Sequence, residues 1–218
     1  EKQLGFIGDY YRLKAVYEYG GIYLVTDVKV CKSFDSLLQY PAFFNFIFDC
    51  SVGSAIIGAQ PGNPLIKNLL NLYDITTFGK NEDGKIFNFR DGKLVVDGYA
   101  TSNYYYTYYI LKNYPQFRLN NKFQDMGDFV IFPKELFEIG TLTGKHYAVH
   151  LCAGEWRLKT DDSKTFKNRV KKLIGKWPWL FDKVQIMVRK KRYDRLKTEI
   201  PFYAYSVAQQ ENRPLPEL

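Results

Sequence analysis

The chain has 218 residues, 46% of them hydrophobic and 17% aromatic, with a formal net charge of +8. That length suits one well-buried domain with an appendage, and that much apolar content excludes disorder for most of it. Between Lys164 and Lys197 thirteen Lys or Arg face only Asp182 and Asp194, a local net of +11 that leaves −3 for the remainder. A mildly acidic body argues against a nucleic-acid-binding face, so no nucleic-acid partner is expected. No apolar run reaches the roughly 20 residues of a membrane span, and the start lacks a signal-peptide pattern. Cys31, Cys50 and Cys152 have no metal-ligand spacing and read as reduced thiols of a cytoplasmic protein.

In chain order, Phe6-Ile7-Gly8 looks like the end of a loop or strand. Asp9 then stands where a helix N-cap belongs, and Leu13, Val16 and Tyr17 share one face of a helix running to Tyr19. Arg12, one turn after Asp9, can project to the same end. Gly20-Gly21 permits a sharp reversal, and Ile22-Tyr23-Leu24-Val25 has the character of a buried strand. That strand stops just before Asp27, placing a carboxylate at the sheet edge where open α/β sheets bind ligands. Asp27 is therefore the first candidate for chemistry, although a turn-initiating aspartate is the plain alternative.

Val28–Val30 reads as a half-exposed strand and Ser33–Leu38 as a turn into a short helix. Ala42–Phe48 and Ser54–Ala59 are further strands. Pro61-Gly62-Asn63-Pro64 is a turn opening a helix through Leu72. Asp91-Gly92 suits a hairpin of 85–90 with 93–96, and Thr101–Asn113 a tyrosine-rich helix. Those tyrosines suggest packing more than sugar stacking. Phe129–Pro133 and Tyr147–His150 complete the strands. Alternating strands and helices define an α/β class.

The tail is different. Phe166, Val170, Leu173 and Ile174 fall at helical spacing with basic residues opposite, and Pro178 breaks or restarts the helix. Trp179, Leu180, Phe181, Val184 and Met187 continue the apolar stripe, and Pro201, Pro214 and Pro216 make the end irregular. An apolar stripe opposite Lys and Arg suits an anionic membrane surface, with residues 164–197 as the contact. The alternatives are packing on the domain, a partner protein, or a polyanion-binding tail.

From Gly8-Asp9-Tyr10-Tyr11-Arg12 through Gly20-Gly21-Ile22-Tyr23-Leu24-Val25-Thr26-Asp27 the sequence resembles family 32 glycosyltransferases with a DXD sugar-binding motif, of the capsular polysaccharide type. The family pattern is Ser-Asp-Tyr-x-Arg followed by Gly-Gly-x-Tyr-x-Asp-x-Asp. The likeness continues through Ala55–Ala59 with Gly62-Asn63-Pro64, then Leu119–Phe123, and closes at His150 and Trp156. It implies a GT-A-like nucleotide-sugar-binding fold over 1–157, continuing upstream of Glu1, with a basic helical tail over 158–218. It also implies Mn²⁺ or Mg²⁺ as cofactor, a nucleotide-sugar donor (UDP-sugar favoured), and transfer with retention to a glycan or lipid-linked acceptor.

By motif, Asp9, Arg12, Tyr23 and Trp156 would bind the donor, and Asp27 and His150 the metal. Unaided by the family, Asp9 reads as a cap, Arg12 as a surface residue, Tyr23 and Trp156 as core, and His150 as a hydrogen-bonded core histidine. Two positions depart from the pattern: Val25 replaces the first Asp of Asp-x-Asp, and Gly8 the serine before Asp9. The valine leaves open a catalytically impaired relative acting as a binding or scaffold subunit. The active reading is a transferase on the inner face of the cytoplasmic membrane.

Overall fold

The structure is a computed structural model describing residues 2–98, 100–151 and 178–218. It is a mixed α/β architecture. A five-stranded sheet, in the order β1 (Gly21–Leu24), β4 (Ile56–Ala59), β3 (Ala42–Asn45), β9 (Val130–Phe132), β8 (Gln124–Asp125), forms its centre. Only the β3–β9 pair is parallel; the other pairs are antiparallel.

Strand alternation builds the two sides of this sheet. Ala42, Phe44, Ile57, Ala59, Phe129 and Ile131 point into the main core, whereas Phe43, Ile56, Val130 and Phe132 point into a second one. The main core is covered by α1 (Lys2–Tyr19), α2 (Pro64–Asp74) and α3 (Ser102–Asn113). Asn63 caps α2 by accepting from Ile66 N–H at 3.2 Å, with Pro64 in its first turn, as the turn signal predicts. The tyrosines of α3 pack: Tyr105 and Tyr106 lie in the main core, and Tyr105 stacks on Tyr73 with ring centroids 4.6 Å apart. Against the second core lies a two-stranded sheet of β2 (Val28–Val30) and β10 (Ala148–His150).

A third sheet joins β5 (Thr76–Phe78), β7 (Lys93–Val96) and β6 (Phe87–Arg90). Its β6–β7 hairpin turns at Asp91-Gly92, both with positive φ, as predicted.

Four expectations change. α1 spans Lys2–Tyr19 rather than starting at Asp9, so Asp9 is a helix-interior residue and Phe6-Ile7-Gly8 is helical, not a loop or strand end. β1 is an edge strand, half-exposed rather than buried, because among the described residues β4 is its only neighbour in the sheet. Residues 46–48 leave β3 after Asn45 and fold back, Phe46 bridging to Val52. The stretch after Pro201 is ordered: α5 (Tyr203–Gln210) starts two residues later, since proline tolerates the flank of a helix start.

Pro178 restarts a helix, α4 (Pro178–Leu196). It meets the body through Ile186 and Tyr193, both buried, while Met187 of the predicted stripe is 55% exposed. Phe202 enters the main core, and the Gln209 and Gln210 amides bond the main chain of Phe117 and Leu119. Among the described residues no helix is long and apolar enough to cross a membrane.

Candidate functional site

The segment Gly20-Gly21 ends α1 and aims β1. Both glycines have positive φ (68° and 93°), a region that side-chain-bearing residues avoid, and Gly20 N–H closes the helix on Val16 O at 2.9 Å. About two to three turns before that end, Asp9 and Arg12 sit on the same side of α1, and an Asp9 carboxylate oxygen lies 2.7 Å from Arg12 Nη2. Arg12 Nη1 donates to Ser54 O at 3.1 Å, and the guanidinium lies over the Tyr23 ring, 5.0 Å from its centroid. Two bonds and a ring face hold this planar group in one orientation, which a lysine could not reproduce.

Asp9 has not become a cap for its own helix. It reaches the start of α3, where Ser102 interacts with it through side chain and backbone. Burial pushes the Asp9 carboxyl above its ordinary value, with Arg12 and Ser102 pulling the other way. Burial also works against the charge of Arg12, but Asp9 and nearby tyrosines hold its pKa above the ordinary value. The two groups thus form a half-buried pair whose exposures are 17% and 15%.

At the far end of β1, Asp27 occupies the turn before β2. The β2–β10 register sets Val28 opposite His150, and Leu151 N–H donates to Asp27 O at 2.8 Å. That pairing brings Asp27 Oδ1 to 3.2 Å from His150 Nε2. The other imidazole nitrogen, Nδ1, lies 2.9 Å from Glu138 Oε2, and Glu138 is fully buried. The Glu138 carboxylate accepts two more bonds, from Tyr193 Oη–H at 2.9 Å and from Asn45 Nδ2 at 3.0 Å. Asn45 is also buried, and its Oδ1 makes no hydrogen bond among the described residues.

The two halves are joined by Gly53-Ser54-Ala55. Ser54 O takes Arg12, Ala55 O takes Val25 N–H at 2.9 Å, and Gly53 lies against Asn45 and Glu138. A Cβ at Gly53 would stand 2.8 Å from Asn45 Nδ2 and 3.2 Å from Glu138 Oε1, so this close approach requires glycine. The sequence-predicted Asp9, Arg12 and Tyr23 therefore meet one another, as do Asp27 and His150. Trp156 lies outside the described residues. Val25 packs partly against the second core.

Glu138, Tyr193, Asn45 and Ser54 were not singled out by sequence. Glu138 had one weak signal, a lone carboxylate inside the apolar run Leu136-Phe137-Glu138-Ile139. Tyr193 sits in a basic stretch that masks it.

Asp27 and His150 can be tested for a divalent ion. Their donor atoms are 3.2 Å apart, close to the roughly 3 Å expected between adjacent ligands with metal–oxygen bonds of about 2.1 Å. A carboxylate on the remote nitrogen of a metal-binding histidine is a recurrent arrangement. Among the described residues no three His, Cys, Asp or Glu side chains form a metal-holding group. One carboxylate oxygen and one imidazole nitrogen supply two ligands at most, so an ion held there would need phosphate oxygens and water to complete its coordination.

Residues 6–44 match the family model of the glycosyltransferase sugar-binding region containing the DXD motif. No curated protein and no solved structure matches the chain. The matched segment carries Asp9, Arg12, Tyr23 and Asp27, and supports a glycosyltransferase-like function.

Proposed function

We propose that the chain is a metal-dependent glycosyltransferase of family 32 with a GT-A-like fold, moving a sugar from a nucleotide donor to a glycan or lipid-linked acceptor. The observation that carries this reading is that Gly53-Ser54-Ala55 takes Arg12 on Ser54 O and Val25, two residues before Asp27, on Ala55 O, with Asp9, Arg12 and Asp27 all lying in the segment that matches a sugar-binding region. Asp9 and Arg12 would hold sugar hydroxyls. Their mutual pairing and the Tyr23 ring pre-set their orientation, so little ordering remains when the donor binds. Asp27 and His150 would hold Mn²⁺ or Mg²⁺, which when bound stabilises the negative charge of a diphosphate leaving group. Retention, the UDP-sugar preference, a donor contact from Trp156 and a role in cell-surface polysaccharide assembly belong to the same proposal. Contact with the inner membrane face would use exposed Met187 and Val188 beside Lys190, Lys191 and Arg192.

Calorimetric titration of the protein with UDP, with and without Mn²⁺, tests the reading. Binding that requires Mn²⁺ and falls at least tenfold in Asp27→Ala is expected. Absence of binding to UDP and to GDP under both conditions overturns it.

Val25 favours a second reading, a catalytically impaired relative acting as a binding or scaffold subunit, because a core-packing side chain stands where the pattern has a carboxylate. Val25→Asp separates the two: a large rise in donor turnover marks a crippled site, and an already active protein that changes little refutes impairment.

A further inference from the structure

The structure assigns Glu138 as a positioning residue that fixes the His150 imidazole with Nε2 turned to Asp27, and assigns Tyr193 as the group by which α4 holds Glu138 in place. The assignment rests on the metal-site reading above and adds two residues to it, both outside the segment matched by the family model.

Glu138 is fully buried, a costly place for a carboxylate unless every oxygen is engaged. It is engaged by three donors of different origin. His150 Nδ1 lies 2.9 Å from Oε2, Tyr193 Oη donates to the same oxygen at 2.9 Å, and Asn45 Nδ2 donates to Oε1 at 3.0 Å. Glu138 engages Nδ1 of the His150 imidazole, which leaves Nε2 as the nitrogen that faces Asp27. The backbone reinforces the alignment: His150 N–H donates to Glu138 O at 3.0 Å, so the two residues cannot slide past each other. The result is an imidazole whose ring orientation is set from behind, with Asp27 Oδ1 3.2 Å in front.

Tyr193 extends this control to the C-terminal helix. It is 4% exposed, stacks near Phe48 with centroids 5.1 Å apart, and is separated by 55 residues from the carboxylate it bonds. α4 is otherwise anchored at Ile186 and, just beyond its end, by Lys197 on Asp49 at 3.3 Å. Both ends of the helix's inner face are therefore seated whether or not the phenol hydroxyl is present. Phenylalanine would keep the ring and its contact with Phe48, so Tyr193→Phe removes the hydroxyl that bonds Glu138.

The test uses Glu138→Gln and Tyr193→Phe in the full chain, with two readouts. In metal-free protein, ¹⁵N-detected imidazole spectra are recorded; the chain has only two histidines, so His146 serves as internal reference. The His150 ring resonances are expected to move away from their wild-type positions in Glu138→Gln and, by less, in Tyr193→Phe, while those of His146 stay in place. Calorimetry with Mn²⁺ and UDP is then expected to weaken by about 10–100-fold in Glu138→Gln, the usual effect of losing such a partner, and by a few-fold in Tyr193→Phe. Unchanged His150 resonances in both variants overturn the assignment. Wild-type protein that binds no Mn²⁺ while the resonances still shift defeats the metal reading and leaves the positioning standing. If Glu138→Gln does not fold, Tyr193→Phe alone decides, because it removes one hydroxyl and preserves the ring.

Discussion

Gly53→Ala probes the joint between the two halves of the site. The residue does not have a positive φ, so alanine suits the backbone and the effect comes from the added methyl alone. That methyl would stand 2.8 Å from Asn45 Nδ2, 3.1 Å from Asn45 O and 3.2 Å from Glu138 Oε1. Asn45 and Glu138 are both buried, so neither can swing into water. Two responses are open. The chain can shift to make room, and overpacking of this kind costs about 1–3 kcal/mol. Alternatively Asn45 can turn off the carboxylate, and losing a hydrogen bond to a charged acceptor costs about 1.5–3 kcal/mol. These are alternatives, so the expected loss is about 2 kcal/mol, or roughly 4–8 °C in Tm for a chain of this size.

Gly8→Ala is the control. It lies within α1, no atom falls within 4 Å of its added Cβ, and its φ is not positive. Replacing it should stabilise by about 0.4–1 kcal/mol, through the smaller entropy of the unfolded chain. Urea unfolding of both variants at a common pH gives the comparison. A Gly53→Ala protein as stable as wild type would refute the close approach and with it the joint.

Arg12→Lys keeps the charge but not the fork. It should lose the Ser54 bond and part of the Tyr23 contact, lowering stability by about 1–2 kcal/mol in thermal denaturation. At Asp49, burial works to raise the carboxyl pKa, but Lys134 and Lys197 outweigh it and hold the group below its ordinary value of 3.8. The stability this contributes is present above the unfolded value and lost as pH falls through the lower folded one. Asp49→Asn should therefore flatten the wild-type decline in unfolding free energy below about pH 4, and weaken the neutral-pH protein by leaving Lys134 buried without its closest partner. Parallel acid limbs for the two proteins would contradict this. Asp9, with its raised carboxyl, acts in the opposite direction: above the unfolded value its contribution falls as pH rises through the folded one.

How much could be read from sequence varies with the range of the interaction. The apolar runs Ala42–Phe48 and Ser54–Ala59 read as strands, and successive residues of β3 and β4 do divide between two cores. Gly20-Gly21, Asn63-Pro64 and Asp91-Gly92 announce their turns because each states a local conformational need. The spacing of Asp9 and Arg12 foretells their pairing, since one helical turn is itself local geometry.

Asp9 as a helix cap was a misreading. The preference for Asp at that position is equally satisfied by a helix interior whose carboxylate finds another helix's first turn, and only α3 decides between them. The exposure of β1 likewise depends on which strands pair, a matter its own four residues do not encode.

The site follows the same division. The sequence by itself marks Asp27 and His150 as notable residues, yet their 3.2 Å approach exists only through the β2–β10 register. Glu138 offers only the weak signal of a lone carboxylate inside an apolar run, and Tyr193 is masked by a basic stretch. Strand pairing and the docking of α4 brought them to one imidazole, because long-range packing chooses partners by shape and burial, which no local window of the chain contains.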